Sequence, residues 1–96
     1  MFSITVKDGE IFLSGRFDAS QVDDASAVFD EMTTTTTVNF KDLDYISSAG
    51  LGVLLKTQKR LREKGGGLVL TQMKKLVRDV FRIARFDLVF EITSEE

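Results

Sequence analysis

The sequence predicts a single α/β domain: a mixed sheet of about five strands, with about three main helices packed mainly on one face. Three observations carry this reading. Short runs of alternating or continuous apolar residues recur five times, and three longer segments between the later runs place apolar residues at helical spacing. The first two strand-like runs are joined by only Asp8-Gly9, a two-residue hairpin signal. A hairpin is antiparallel, whereas strands separated by a helix become parallel neighbours, so the order β-β-α-β-α-β-α-β gives one antiparallel pair followed by parallel additions.

Phe2, Ile4 and Val6 alternate with Ser3, Thr5 and Lys7, and after the turn Glu10-Ile11-Phe12-Leu13-Ser14 resumes the pattern. The hairpin is expected to end at a turn, Gly15-Arg16-Phe17-Asp18-Ala19. Asp18 or Ser20 can cap the next helix, since Ser20-x-x-Asp23 has capping-box spacing. From Gln21 to about Met32, Val22, Ala25, Phe29 and Met32 recur at helical spacing, with Asp23, Asp24, Asp30 and Glu31 mainly on the other face. The β-branched run Thr33 to Thr37 connects this helix to a strand over Thr36 to Phe40. Asp42 and Asp44 then flank Leu43 in what reads as a loop of solvated acids; together with Asp18 they do not supply the many convergent oxygens that a hard cation needs.

The second long helix is expected from near Ala49 to Lys64 and stops at Gly65-Gly66-Gly67. At about 100° per residue Leu51, Leu54, Leu55 and Leu61 form its core stripe, while Ala49, Gly52, Val53, Lys56 and Arg60 point away. Leu68-Val69-Leu70-Thr71 reads as a covered strand beside Val38 to Phe40. Lys74 to Arg85 gives a third amphipathic helix with a basic face, which is either solvated or turned to an acidic partner. Phe86 to Ile92 supplies a last edge strand, and Ser94-Glu95-Glu96 is expected to fray. The sheet face without helices is either exposed in alternation or used for homodimerisation.

Composition removes many functions. Ninety-six residues make one small domain, spanning 1–96, with a single core. Lys and Arg number 13 against 15 Asp and Glu, a net charge of −2, and a general nucleic-acid binder carries a basic excess instead. With no Cys and no His, this chain cannot build a disulfide, a thiolate or imidazole zinc site, a cysteine nucleophile or a Ser-His-Asp triad. The N-terminal run lacks the basic start and long apolar stretch of a signal peptide, and no later run is long enough to span a bilayer, so a cytoplasmic protein is expected.

The stretch around which the chain is organised is Val38 to Leu55, where a buried strand leads through a short polar loop into a helix. Ser47 and Ser48 stand at that helix start, where free backbone N–H groups and the positive end of the helix dipole favour a phosphate. Small residues follow, Ala49, Gly50 and Gly52, so a partner can approach closely.

This segment, Ser47-Ser48-Ala49-Gly50-Leu51-Gly52, resembles the phosphorylation loop of the STAS domain, and specifically that of bacterial anti-sigma factor antagonists. The usual loop is Asp-Ser-Ser/Thr-Gly-Leu-Gly. Anchored on Gly50-Leu51-Gly52, Ser47 takes the Asp slot, Ser48 the first hydroxyl slot and Ala49 the second. The resemblance implies Ser48 as phosphate acceptor, with Ser47 second. The loop and the helix face away from the leucine stripe give a partner-binding surface of Asp18, Ser47, Ala49, Gly50, Gly52, Val53 and Lys56, with Val53 otherwise packed under a neighbouring helix, and the resemblance makes Gly15-Arg16-Phe17-Asp18 the family turn beside the loop. By the same resemblance the unphosphorylated chain would bind an anti-sigma factor that is a serine kinase and release a sigma factor. The kinase would switch it off, and a separate serine phosphatase would restore it.

Such a chain is not an enzyme and needs no cofactor of its own. An alternative keeps the domain but places it in another partner-switching or regulatory complex. A small nucleotide-binding protein is the remaining alternative, suggested by Gly50-x-Gly52 opening a helix after a strand. The third glycine of the dinucleotide fingerprint is missing at Leu55, and no Gly-x-x-x-x-Gly-Lys-Ser/Thr occurs.

Overall fold

The structure, a computed structural model, describes residues 1–93, so the end expected to fray, Ser94-Glu95-Glu96, lies outside the described residues. β1 (Ser3–Lys7) and β2 (Glu10–Phe17) form the antiparallel hairpin. Asp8 and Gly9 adopt φ values of 53° and 80°, the left-handed pair that a tight two-residue hairpin turn requires. β3 (Thr36–Ile46), β4 (Leu68–Thr71) and β5 (Glu91–Ile92) then add in parallel, in the spatial order β1-β2-β3-β4-β5. Each parallel step moves the same way across the sheet. Right-handed crossovers therefore put α1 (Val22–Phe29), α2 (Ser48–Arg62) and α3 (Lys75–Ile83) on one face.

The strand register builds the core in rows. Ile11 stands beside Val38, Val38 beside Leu70 and Leu70 beside Ile92, and the first three are fully buried under the helices. The opposite face alternates to polar side chains that bond to one another: Ser3 Oγ to Ser14 Oγ at 2.6 Å, Asn39 Nδ2 to Glu10 Oε2 at 3.2 Å, and Thr93 Oγ1 to Thr71 Oγ1 at 2.9 Å. Half-buried Phe12 and Val69 stand among these polar side chains on the same face.

Four boundaries differ from the sequence reading. β2 continues as strand through Gly15 and Arg16 to Phe17, where a turn is expected, and the expected last strand Phe86 to Ile92 is a 3-10 turn, Phe86–Leu88, followed by a strand of only Glu91–Ile92. β3 runs for eleven residues straight to Ile46, so Asp42 and Asp44 are exposed strand residues and the loop before α2 shrinks to Ser47. Register shifts against β2, at Phe12/Ser14 and Gly15/Arg16, let both Leu43 and Ile46 face the core although they are three residues apart. α1 is shorter than expected: Ala19–Gln21 forms a 3-10 turn before it, and Met32 lies beyond its end while still packing on the core.

α2 is closed by the glycine run. The Gly66 N–H reaches the Leu61 carbonyl at 2.9 Å, the Gly65 N–H reaches that of Arg62 at 3.1 Å, and Gly65 has φ +87°, a left-handed helix end. Arg60 turns back to donate to the carbonyls of Phe29 and Met32, both at 2.9 Å, and so satisfies the end of α1. Arg60→Ala should therefore cost about 1–2 kcal/mol, measured as a lower urea midpoint with an unchanged slope. Buried Gln58 accepts from the Leu68 N–H at 2.7 Å and donates to the Val89 carbonyl at 2.8 Å, fastening α2 to both later strand regions. At the surface, hydrogen bonds from Lys74 and Lys75 hold the carboxyls of Asp44 and Asp79 below the usual value of 3.8. Whatever these exposed pairs contribute is present above the unfolded pKa and lost as the pH falls through the lower folded one.

Candidate functional site

The end of β3 delivers Ser47 and Ser48 to the start of α2, and the two hydroxyls have different environments. Ser47 is the N-cap, with extended backbone, half-buried, and its Oγ accepts the Gly50 N–H at 3.3 Å. Its own N–H donates to the Phe17 carbonyl at 2.9 Å, and its carbonyl accepts the Leu51 N–H at 2.9 Å. Ser48 is the first helical residue and is exposed. The N–H groups of Ser48 and Ala49, in the first turn, have no intrahelical carbonyl to meet. An anion on Ser48 would therefore sit against free donors and the positive end of a fifteen-residue helix.

The bond from Ser47 to Phe17 ties the end of β2 to the start of α2 and brings Asp18, the next residue, beside the serines. Asp18 caps the 3-10 turn: its Oδ1 accepts the Ser20 N–H at 3.0 Å, and the Gln21 side chain accepts the Asp18 N–H at 2.8 Å. The capping box is thus Asp18 with Gln21, in place of the Ser20 and Asp23 expected from spacing. Asp18→Ala should lower stability by about 1 kcal/mol through the lost cap. If Asp18 also serves a partner, binding or phosphorylation slows by more than the Gln21→Ala variant, which loses the other half of the box, can account for.

Two residues expected on the docking surface are buried. Val53 is 7% exposed and belongs to the core. It lies on the flank of α2 turned to α1, together with buried Thr57 and the stem of Arg60, a flank that a stripe drawn from the leucines alone leaves out. Gly50 is also buried, and a Cβ there would stand 2.8 Å from Ile46 Cγ1 and 3.1 Å from Phe17. Its missing side chain lets α2 pack down on the strand ends, so Gly50 has a packing origin. Leu55, placed in the core stripe by its spacing, is only half-buried.

The accessible surface is therefore Ser48, Gly52 and Lys56, with half-buried Ala49 and Leu55 beside them. A Cβ on Gly52 would meet nothing within 4 Å. One pair at the site's edge escaped the sequence reading. Arg16 stacks over Tyr45, 4.1 Å from the ring centroid, on the neighbouring ends of β2 and β3. The signal available was that Tyr45 is the chain's single tyrosine, two residues before Ser47. Among the described residues no group of three His, Cys, Asp or Glu is placed to hold a metal ion; Asp18 is engaged in its cap and Asp44 by Lys74. No described helix is long and apolar enough to cross a membrane.

The fold, a hairpin-led mixed sheet with its helices on one side, is shared with solved anti-sigma factor antagonists. The fold matches unphosphorylated SpoIIAA with a TM-score of 0.72 and 20% identity, over 100% of this chain and 90% of that one. It matches an antagonist from Mycobacterium paratuberculosis with a TM-score of 0.83 and 16% identity, over 99% and 86%. The chain belongs to the STAS domain family: the family model described as "Mlab, STAS domain" matches residues 1–91. A curated relative, BtrV of Bordetella bronchiseptica, a candidate anti-sigma factor antagonist, is 50% identical over 52 residues, which is 54% of this chain. The matched stretch spans 45% of that relative's length.

Proposed function

We propose that this chain, acting as one STAS domain over residues 1–96, is a cytoplasmic anti-sigma factor antagonist. Unphosphorylated, it binds an anti-sigma factor that is also a serine kinase and releases a sigma factor. Phosphate on Ser48 ends that binding, and a serine phosphatase restores it. The chain does no chemistry of its own. The observation that carries the reading is the division of labour between the two serines, Ser47 tied into the helix cap and Ser48 exposed on the first turn. The identity to BtrV and the fold shared with SpoIIAA, solved in unphosphorylated and phosphorylated forms, support it. The partner surface in this reading is Ser48, Ala49, Gly52 and Lys56, with Asp18 and Ser47 at its border.

A second reading is favoured by the family match itself, whose description is Mlab, with no antagonist named in it. There the same surface serves a different regulatory complex. Isothermal titration of the purified chain against anti-sigma kinases encoded near its gene separates the two. Binding abolished by ATP-dependent phosphorylation supports the antagonist. Absence of binding to every such kinase favours the second reading.

A further inference from the structure

α3 carries apolar surface that its own packing does not use. Val77 and Phe81 are buried against the sheet, and Phe81 stands edge-on to Phe40 and Phe90 with centroids 5.9 and 5.8 Å away. Leu76 and Ile83, by contrast, are 74% and 79% exposed. Seven residues apart, they share one flank of the helix, with half-buried Val80 between them.

The topology gives that flank its direction. α2 and α3 belong to successive right-handed crossovers and run the same way over neighbouring strands. The side of α3 turned to α2 thus matches the side of α2 turned to α1, which is the flank carrying Val53 and Arg60. On α3 the sector at the same angle from the buried residues holds Leu76, Val80 and Ile83. Its upper end lines a cavity of about 180 Å³ together with Asp44, Tyr45 and Ile46, the strand end that leads directly into Ser47 and Ser48. α1 packs on α2, but α2 and α3 scarcely touch, which leaves a furrow between them.

Charge distinguishes this furrow from the rest of a chain whose net charge is −2. Apart from Arg60, which is engaged on the α1 side, α2 carries Lys56, Lys59 and Arg62, and no acid lies between Ser48 and Arg62. On α3 the residue bordering the strip on its outer side is Asp79, whose carboxylate is shared by Lys75 at 3.1 Å and Arg82 at 3.0 Å. An apolar strip about 10 Å long, two turns of helix, thus lies between the cations of α2 and the neutralised carboxylate of Asp79.

We propose that this furrow is a docking site for an acidic amphipathic helix of the partner that reads Ser48. The partner's apolar residues pack on Leu76, Val80 and Ile83, and its carboxylates meet Lys56, Lys59 and Arg62 of α2. The inference rests on the antagonist reading only for the identity of the partner; the surface chemistry stands apart from it.

The test uses two arms. In the first, an 18-residue peptide with Leu at helical spacing among Glu and Ala is titrated into the ¹⁵N-labelled chain, with a Lys-for-Glu peptide and phosphatidylglycerol vesicles as comparisons. The acidic peptide should shift the amides of α3 saturably, the basic one should not, and the Leu76→Asp/Ile83→Asp variant should bind at least about 10-fold more weakly with an unchanged unfolding midpoint. In the second arm, the same double variant should lose at least about 10-fold in affinity for an anti-sigma kinase that binds the wild type. Failure of the wild type to bind any such kinase overturns the antagonist reading, and the peptide arm then decides the furrow alone. Equal binding of peptide or kinase by the double variant overturns the furrow. So does vesicle binding that exceeds peptide binding and is lost in the variant, because the surface would then serve a lipid headgroup layer.

Discussion

Protein phosphorylated on Ser48 is expected to bind the anti-sigma factor proposed as its partner at least about 100-fold more weakly than the unmodified protein, a difference of about 3 kcal/mol, with little change in its own backbone. The asymmetry comes from where the charge sits. On the domain side, nearly two negative charges meet the free N–H groups of Ser48 and Ala49 and the positive end of α2, so the fold tolerates them. On the partner side, a surface built against a neutral hydroxyl, Ala49 and Gly52 has no matching donors, and the phosphate is left bulky and unpaired in the interface. Ser48→Asp should accordingly be a weakened binder, and Ser48→Ala a binder that cannot be switched off. Ser47→Ala should remain phosphorylatable while losing about 1 kcal/mol of stability with the cap to the Gly50 N–H. Calorimetric titration of the three variants and of phosphorylated wild type reads all four outcomes; undiminished binding by the phosphorylated protein contradicts the switch.

Gly52→Glu is expected to reduce partner binding to a similar extent without harming the fold, and Gly50→Val to do the reverse. Position 52 is exposed and open, so a side chain there points into solvent, and replacing a helical glycine favours the helix by up to about 1 kcal/mol. The new carboxylate stands one turn from Ser48, on the surface a partner must cover. At position 50 even a Cβ crowds Ile46 and Phe17, so a branched side chain should cost about 1–3 kcal/mol through overpacking. Thermal unfolding and kinase titration of both variants form a crossed test. A low midpoint for Gly52→Glu, or full binding by it, removes α2's outer face from the interface.

The order of elements was legible because most of the local signals agree: the Asp8-Gly9 turn, the amphipathic helices and the Gly65-Gly66-Gly67 stop each act locally, and the structure uses all of them. The second half of β3 was not legible. Lys41 to Ile46 reaches the core through Leu43 and Ile46, a spacing of three that matches neither strand nor helix until the shifts against β2 are known. Val53, open in the sequence between a docking face and a place under a neighbouring helix, is decided by a related feature. A helix wedged between a sheet and a neighbouring helix is buried over more than one stripe, and the leucines of α2 mark only the part turned to the sheet. The Val53, Thr57 and Arg60 spacing of four and three was the available clue to the second flank. At the site, the adjacency of Ser47 and Ser48 was plain, but their separate roles emerge only from the bonds to Phe17, Gly50 and Leu51.

The most direct measurement is to incubate the chain with candidate anti-sigma kinases and ATP and locate the phosphate by fragmentation mass spectrometry, on wild type and on Ser48→Ala. One phosphate on Ser48 in the wild type, and none on Ser48→Ala, is the predicted result. Phosphate on Ser47, or undiminished incorporation by Ser48→Ala, would contradict the assignment of the exposed first-turn serine as the switch.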